Sequence, residues 1–238
     1  MLISLLHGML CLDMIANWLV AIGTIVIALV AVFQESIRAF FYRPKFHASI
    51  KTEPPDCVAL PLTFKKSEWD PLVIAQSIYL RIWVENVGNA TANDVEVYAK
   101  SLHRLRADET WERVIHFPPM NLVWSNIGVI YFPRIAPDMG KHCDVGHVTD
   151  PSKRTEIGED SMALGLTDEE TSLAFNLQVA PNHKGHIVGP GQYRLEILIA
   201  AGNARPTKRT LYINLRGKWY IDQAIMLRDG VGVTIASD

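Results

Sequence analysis

Three polar residues between positions 142 and 147 have the types and spacing that could hold a metal ion. His142 and Asp144 are two positions apart, so on a β-strand they would share one face, as two ligands of one ion must. His147 is the third candidate, and His183 and His186 could join it from another loop. This spacing matches no familiar zinc pattern. His142, Asp144 and His147 are therefore the candidate metal ligands, and no cofactor is predicted.

Carboxylates are concentrated between residues 150 and 171. Two carboxyl groups that converge in a pocket can act as general acid and base, but nothing in the sequence brings a pair together. A polar segment of this length is either a solvated loop or a recognition loop. We expect the solvated loop. The segment includes Glu156, Glu159, Asp160, Asp168, Glu169 and Glu170.

The sequence lacks the signatures of several common enzyme classes. It contains no G-x-S-x-G, H-E-x-x-H, G-x-x-x-x-G-K-[ST] or G-x-G-x-x-G motif. Their absence favours a protein that is not an enzyme.

Charge and cysteine content limit the partners and the compartment. The net charge of −2 and the pI near 6.4 argue against nucleic acid as a partner, since proteins that bind phosphates usually carry a basic excess. Cys11, Cys57 and Cys143 are too few for a disulfide framework. We expect free thiols in a reducing compartment, with a single bridge between Cys57 and Cys143 as the alternative.

The elements that position these residues begin with an apolar helix. Residues from Met14 to Phe33 include no charged side chain, and only Asn17 and Thr24 are polar. At about 1.5 Å per residue, such a run spans the roughly 30 Å hydrocarbon core of a bilayer. It has no polar face at helical spacing, as a core helix of a soluble protein would. The sequence therefore predicts one transmembrane helix in contact with membrane lipid.

The flanking charges predict the orientation of this helix. Asp13 precedes it with no lysine or arginine, whereas several basic residues follow it. Positive charges resist translocation, so the chain after the helix should be cytoplasmic. Aromatic residues mixed with arginines predict an interfacial collar before Pro44, which should end the helix. The basic residues are Arg38, Arg43, Lys45 and Lys51, and the aromatic ones are Phe40, Phe41 and Tyr42.

After Pro44 the hydrophobic periodicity changes from helical to two-residue. In Ile78 to Glu85 apolar and polar residues alternate, which is typical of a half-buried strand. Two similar runs around Leu195–Ile199 and Leu211–Leu215 predict a hairpin across the loop 201–206. Eight or nine short strands without long helices between them indicate an antiparallel sandwich. The apolar tail from Trp219 to Leu227 should pack on it as a short helix or a closing strand.

Two motifs carry a resemblance to a known family. The run 80–97 resembles the V-x-N-x-G … A-x-x-V-x-V signature of bacterial immunoglobulin-like modules of the CARDB type. Gly189 to Leu195 is similar to the turn that enters a late strand in such sandwiches, where the tyrosine packs near a corner. The resemblance implies an immunoglobulin-like fold and leaves function open.

The sequence thus predicts an immunoglobulin-like antiparallel β-sandwich preceded by one N-terminal transmembrane α-helix. Its domains are an apolar N-terminal extension (1–13), a transmembrane helix with collar (14–43) and the sandwich (44–238). The hypothesis for function is a single-pass protein of the inner (plasma) membrane that binds or scaffolds a protein partner or another copy of itself. The alternatives are a membrane-tethered metal-dependent hydrolase and an extracytoplasmic adhesion module.

Overall fold

The structure is a computed structural model that describes residues 2–160 and 164–236, with the backbone alone for residues 2–14 and 35–40. The chain divides into two compact units, Met1–Arg43 and Pro44–Asp238. The first is a helix and the second is built from β-strands.

Helix α1 covers Leu2–Phe41 without a break, so it includes residues 2–13 of the predicted N-terminal extension, and Met1 lies outside the described residues. Within it, Ile15–Gln34 forms a segment of 20 residues that is long and apolar enough to cross a membrane. None of this segment is buried. The hydroxyl of Thr24 donates to the carbonyl oxygen of Val20 at 2.8 Å, so this polar group has a partner within the helix. Phe41 and Tyr42 are exposed, as a collar requires.

The second unit contains two antiparallel sheets in a sandwich-like arrangement, which confirms the mainly β fold. The immunoglobulin-like type stays a prediction.

The strands of the first sheet are β1 Phe46–Ser49, β2 Cys57–Phe64, β3 Val73–Asn86, β7 Val123–Trp124, β9 Gly140–Thr149, β10 Leu173–Phe175 and β11 Ile187–Val188. Their order in the sheet is β1, β3, β9, β10, β11, with β2 also beside β3 and β7 beside β9. The strands of the second sheet are β4 Ala92–Leu105, β5 Trp111–Arg113, β6 Met120–Asn121, β8 Tyr131–Ile135, β12 Gly191–Ala201, β13 Ala204–Leu215 and β14 Val231–Ile235. Their order is β14, β13, β12, β4, β5, with β6 and β8 also beside β4.

Alternation along the strands produces one core between the sheets. On β3, Leu80, Ile82 and Val84 are fully buried, while the intervening side chains lie on the outer face. Apolar side chains from both sheets join one cluster of buried residues. At its centre, the indole of Trp124 donates to the carbonyl oxygen of Val95 at 3.1 Å, so its polar atom is satisfied inside the core.

The predicted hairpin of β12 and β13 is confirmed, but its loop is shorter than 201–206. β13 begins at Ala204, so Gly202 and Asn203 alone form the turn. The side chain of Asn203 accepts from the amide of Asn93 and donates to the carbonyl oxygen of Thr91. These bonds fasten the tight turn to the start of β4.

Strand β2 contains Pro61, a residue that has no N–H to donate to a neighbouring strand. Pro61 is accommodated because β2 is an edge strand. The amide of Ala59, two residues earlier, points away from β3 and donates to Gln223 at 2.8 Å. Pro61 faces the same way, so its missing N–H removes no bond to β3.

The apolar tail from Trp219 to Leu227 contains a short helix, which is one of the two predicted forms, and the closing strand lies beyond the tail. Asp222 caps the helix Gln223–Ile225 by accepting from the amide of Ile225 at 2.9 Å. Met226 is fully buried, whereas Ile221 is exposed. The chain then forms β14, which pairs with β13 and which the sequence analysis did not identify.

Candidate functional site

The three candidate metal ligands all lie on β9, opposite large side chains of β3. His142 pairs with Trp83 and His147 pairs with Tyr79. Asp144 pairs with Arg81 between them. Together these six residues form a polar strip on the outer face of the first sheet.

A β-bulge places His147 on the same face as Asp144, three positions away. The register shifts between Leu80 and Arg81, which face Gly146 and Asp144, so β9 contains one extra residue there. A Cβ atom at Gly146 would lie 2.5 Å from the carbonyl oxygen of Ala174 on the adjacent strand. Glycine is therefore required at this bulge, and period-two alternation could not predict the face of His147.

His142 is hydrogen-bonded to an aspartate that lies outside the polar strip. Its Nε2 lies 3.0 Å from Oδ1 of Asp56, and its ring meets that of Trp83 edge-on at 4.9 Å. The other carboxylate oxygen of Asp56 accepts from the amide of Lys51 at 2.8 Å. A Cβ at Gly140 would lie 2.3 Å from the indole of Trp83, so glycine there makes room for the ring.

Asp144 is buried and bonded to two side chains. Its Oδ1 accepts from Nε of Arg81 at 3.1 Å and from the hydroxyl of Ser125 at 2.5 Å. The serine hydroxyl therefore donates to a carboxylate and not to a histidine. This arrangement is a charge pair and does not activate Ser125 as a nucleophile.

Both ring nitrogens of His147 face acceptors. Nδ1 lies 2.7 Å from Oδ1 of Asn176, and Nε2 lies 2.5 Å from Oε1 of Glu159. Burial opposes protonation, but the hydrogen bond and negative charge of Glu159 outweigh it, so the pKa of His147 is raised. In its protonated form the ring donates on both sides and keeps no lone pair for a metal ion or for general base catalysis.

The strip thus brings the three candidate metal ligands onto one face of the first sheet. Across residues 2–160 and 164–236, no group of three His, Cys, Asp or Glu side chains is arranged to hold a metal ion. Each candidate ligand is bonded to a protein partner instead. His183 is exposed, and its Nδ1 accepts from the amide of Gly185 at 3.0 Å.

A cavity of about 380 Å³ adjoins His147, and we call it the His147 cavity. Its apolar walls include Leu62, Phe64, Ile157, Phe175 and Leu177. Its few polar side chains are His147, Glu159, Asn176, Lys184 and His186.

Two buried polar atoms at this cavity have no hydrogen-bond partner among the residues that the structure describes: Nδ1 of His186 and Oε2 of Glu159. His186 is itself a buried residue. Burial, followed by the positive charge of Lys184, lowers the pKa of His186 to about 4. The ring is therefore neutral at pH 7 and offers an unsatisfied nitrogen.

The acidic segment closes one side of the His147 cavity, so a fully solvated loop is the wrong description of its first half. Ile157 is buried, and the amine of Lys184 donates to the carbonyl oxygen of Gly158 at 2.7 Å. Arg154 is also buried and donates to the carbonyl oxygens of Glu170 and Thr167. The two buried side chains, Ile157 and Arg154, are an apolar and a basic residue within the acidic segment. Glu156, Asp168 and Glu169 are exposed, as expected.

Replacing Glu159 by glutamine is expected to lower the pKa of His147 and to destabilise the sandwich by about 1–3 kcal/mol near pH 6. A histidine whose pKa is raised by folding stabilises the fold fully below its unfolded pKa of about 6.5 and loses that contribution as pH rises through the raised value. As pH rises above 6.5, the free energy of unfolding of the wild type should therefore fall by more than that of the variant.

Urea unfolding of the full chain across this pH range measures both effects. Glu156→Gln is the matched control because Glu156 is exposed and pairs only with exposed Lys153. It should change stability by at most about 0.5 kcal/mol. Equal pH profiles for the wild type and Glu159→Gln would contradict the assigned pair.

The two cysteines of the sandwich are free thiols in the structure. Both are buried. Burial, followed by repulsion from Asp56, raises the pKa of Cys57 to about 12, and burial also raises the pKa of Cys143. Neither thiol is prepared to act as a nucleophile at neutral pH.

Several residues of this site were not identified from the sequence. Tyr79 and Arg81 could have been noticed as large side chains on the polar face of a strand. Glu159, Asn176 and Lys184 come from separate loops, and no spacing connects them to His147. Comparison with protein-family models, curated proteins and solved structures finds no match to this chain.

Proposed function

We propose that this chain is a single-pass inner-membrane protein whose sandwich is a binding or scaffolding module on the cytoplasmic side. The segment Ile15–Gln34 supports the anchor through its length and composition. The basic residues that follow it, against Asp13 before it, support the cytoplasmic orientation. Tethering would raise the effective concentration of any partner held at the same surface.

One observation supports binding rather than turnover: both ring nitrogens of His147 at this cavity are hydrogen-bonded to protein side chains. Asp144 lies on the polar strip and does not line the cavity; its Oδ1 accepts from Arg81 and Ser125. Mostly apolar walls with a few fixed polar groups are typical of ligand sites of this size. The unpaired Nδ1 of His186 favours a ligand with an apolar body and one hydroxyl or amide group.

The immunoglobulin-like type of the sandwich is part of this proposal. It is supported by Tyr193, which is buried and whose hydroxyl donates to the carbonyl oxygen of Gly189 at 2.8 Å. A tyrosine that bonds back to a backbone carbonyl a few residues upstream resembles the tyrosine corner of such domains.

Filling the His147 cavity is expected to remove its ligand. We expect a small molecule to copurify at near-equal stoichiometry with the full chain in lipid nanodiscs, as detected by native mass spectrometry. Ala180 is exposed and lines the cavity, so Ala180→Trp should abolish this adduct with little effect on the core. The bulky side chain would occupy the space of the ligand.

Val179→Trp is the matched control, because Val179 is the exposed neighbour that does not line the cavity. It should retain the adduct. A wild-type protein without any bound molecule, or an adduct that persists in Ala180→Trp, would refute binding at this cavity. Stoichiometric zinc or manganese in the same preparation would instead support the hydrolase.

A further inference from the structure

A second opening lies on the other sheet, away from the polar strip. It has a volume of about 230 Å³ and lies over β12, β13 and β14, with Trp111 at one side. The pairing register places Gln192, Asn214 and Gly232 in one row across the three strands. We call this opening the Trp111 groove.

Two aromatic rings form its apolar surface. The ring centroids of Trp111 and Tyr212 are 6.0 Å apart and the rings are tilted by 57°. The guanidinium of Arg194 lies 5.3 Å from the centroid of Trp111, which holds the indole in position by a cation–π contact. Tyr212 is 41% exposed, so its ring is available to a ligand. The negative face of such a ring attracts polarised C–H groups.

The polar atoms of the groove are neutral and can both donate and accept. They belong to the amides of Gln192 and Asn214 and to the hydroxyl of Thr234. No charged side chain lines this groove among the described residues. A ligand that combines a C–H face with many hydroxyl groups fits this surface better than an ion does.

Two backbone features favour a compact ligand over a peptide strand. A Cβ at Gly232 would meet no atom within 4 Å, so the floor of the groove is open there. Beside it, the hydroxyl of Thr52 donates to the carbonyl oxygen of Val233 at 2.8 Å and accepts from the amide of Val233 at 3.1 Å. These bonds occupy the edge of β14 that an added strand would need.

We propose that the Trp111 groove binds a neutral saccharide, with one sugar ring on Trp111 and Tyr212 and its hydroxyls on the amides and Thr234. This site is separate from the His147 cavity and does not depend on the function proposed for it.

Saturation-transfer NMR on the full chain in nanodiscs tests this proposal with three probes: methyl β-glucoside, N-acetylglucosamine and cellobiose. At least one should show transfer to its ring protons with a dissociation constant of about 1 mM or lower. Trp111→Ala should weaken binding at least tenfold. Trp69→Ala is the matched control, because Trp69 is 92% exposed and does not line the groove, and it should bind as the wild type does.

Gly232→Val provides a second, independent variant. Its side chain would fill the open floor, and valine is well suited to a strand, so the fold should persist while binding is lost. Circular dichroism and thermal unfolding confirm the fold of each variant. The proposal is overturned if none of the three sugars shows transfer to the wild type, or if transfer survives in Gly232→Val.

Discussion

Replacing Asn86 by alanine is expected to lower the free energy of unfolding of the sandwich by about 3–5 kcal/mol. Asn86 is fully buried, and its side chain makes four hydrogen bonds. Its oxygen accepts from the amides of Lys45 and Gly88, and its nitrogen donates to the carbonyl oxygens of Ala90 and Ile135. Alanine would leave these backbone groups without their partner, and a buried group such as the carbonyl oxygen of Ile135 costs about 1–3 kcal/mol when it is unsatisfied.

Urea unfolding of the full chain in mild detergent measures this loss. Asn203→Ala is the matched control because Asn203 makes two backbone bonds at an exposed turn, where water can replace them. It should cost no more than about 1 kcal/mol. Asn86→Asp should also be destabilising, since a carboxylate cannot donate to Ala90 and Ile135. An effect of Asn86→Ala no larger than that of Asn203→Ala would contradict this role.

Two arginines in the apolar helix are expected to prevent its insertion. Thr24 and Ala28 lie well inside Ile15–Gln34, and an arginine at the centre of a span costs about 2.5–3.5 kcal/mol on the insertion scale. The double variant Thr24→Arg, Ala28→Arg therefore costs about 6 kcal/mol, or roughly four orders of magnitude in the insertion equilibrium. The chain should move from the carbonate-resistant membrane pellet to the extracted fraction.

The variant with leucine at the same two positions is the control and should stay in the pellet. A wild-type chain that is soluble and monomeric without detergent would refute the anchor itself. Reporter fusions at the C-terminus test the orientation separately: green fluorescent protein should be fluorescent and alkaline phosphatase inactive. The opposite pair of results would place the sandwich outside the cytoplasm.

The sequence predicted what depends on periodicity and on local motifs. Alternation along β3 identified its buried face. Two-residue periodicity also predicted the hairpin of β12 and β13. These features are local in the chain, so the residue pattern contains them.

Features that depend on distant contacts could not be predicted in this way. His147 shares a face with Asp144 only because of the bulge at Gly146, which is set by the approach of Ala174. Glu159 looked like one solvated carboxylate among many, yet it meets His147 through the folding back of the acidic segment. β2 contains a proline that argues against a strand until its position at the edge is known.

The two hydrogen bonds between Thr52 and Val233 have a consequence for copies of this chain if the proposed anchor confines them to one membrane. Proteins confined to a plane collide often, and an unprotected outer strand would let neighbouring sheets join into continuous assemblies. By occupying both backbone groups of Val233, one threonine hydroxyl interrupts that route. Crowding on the bilayer can then bring copies together without polymerising them through β14.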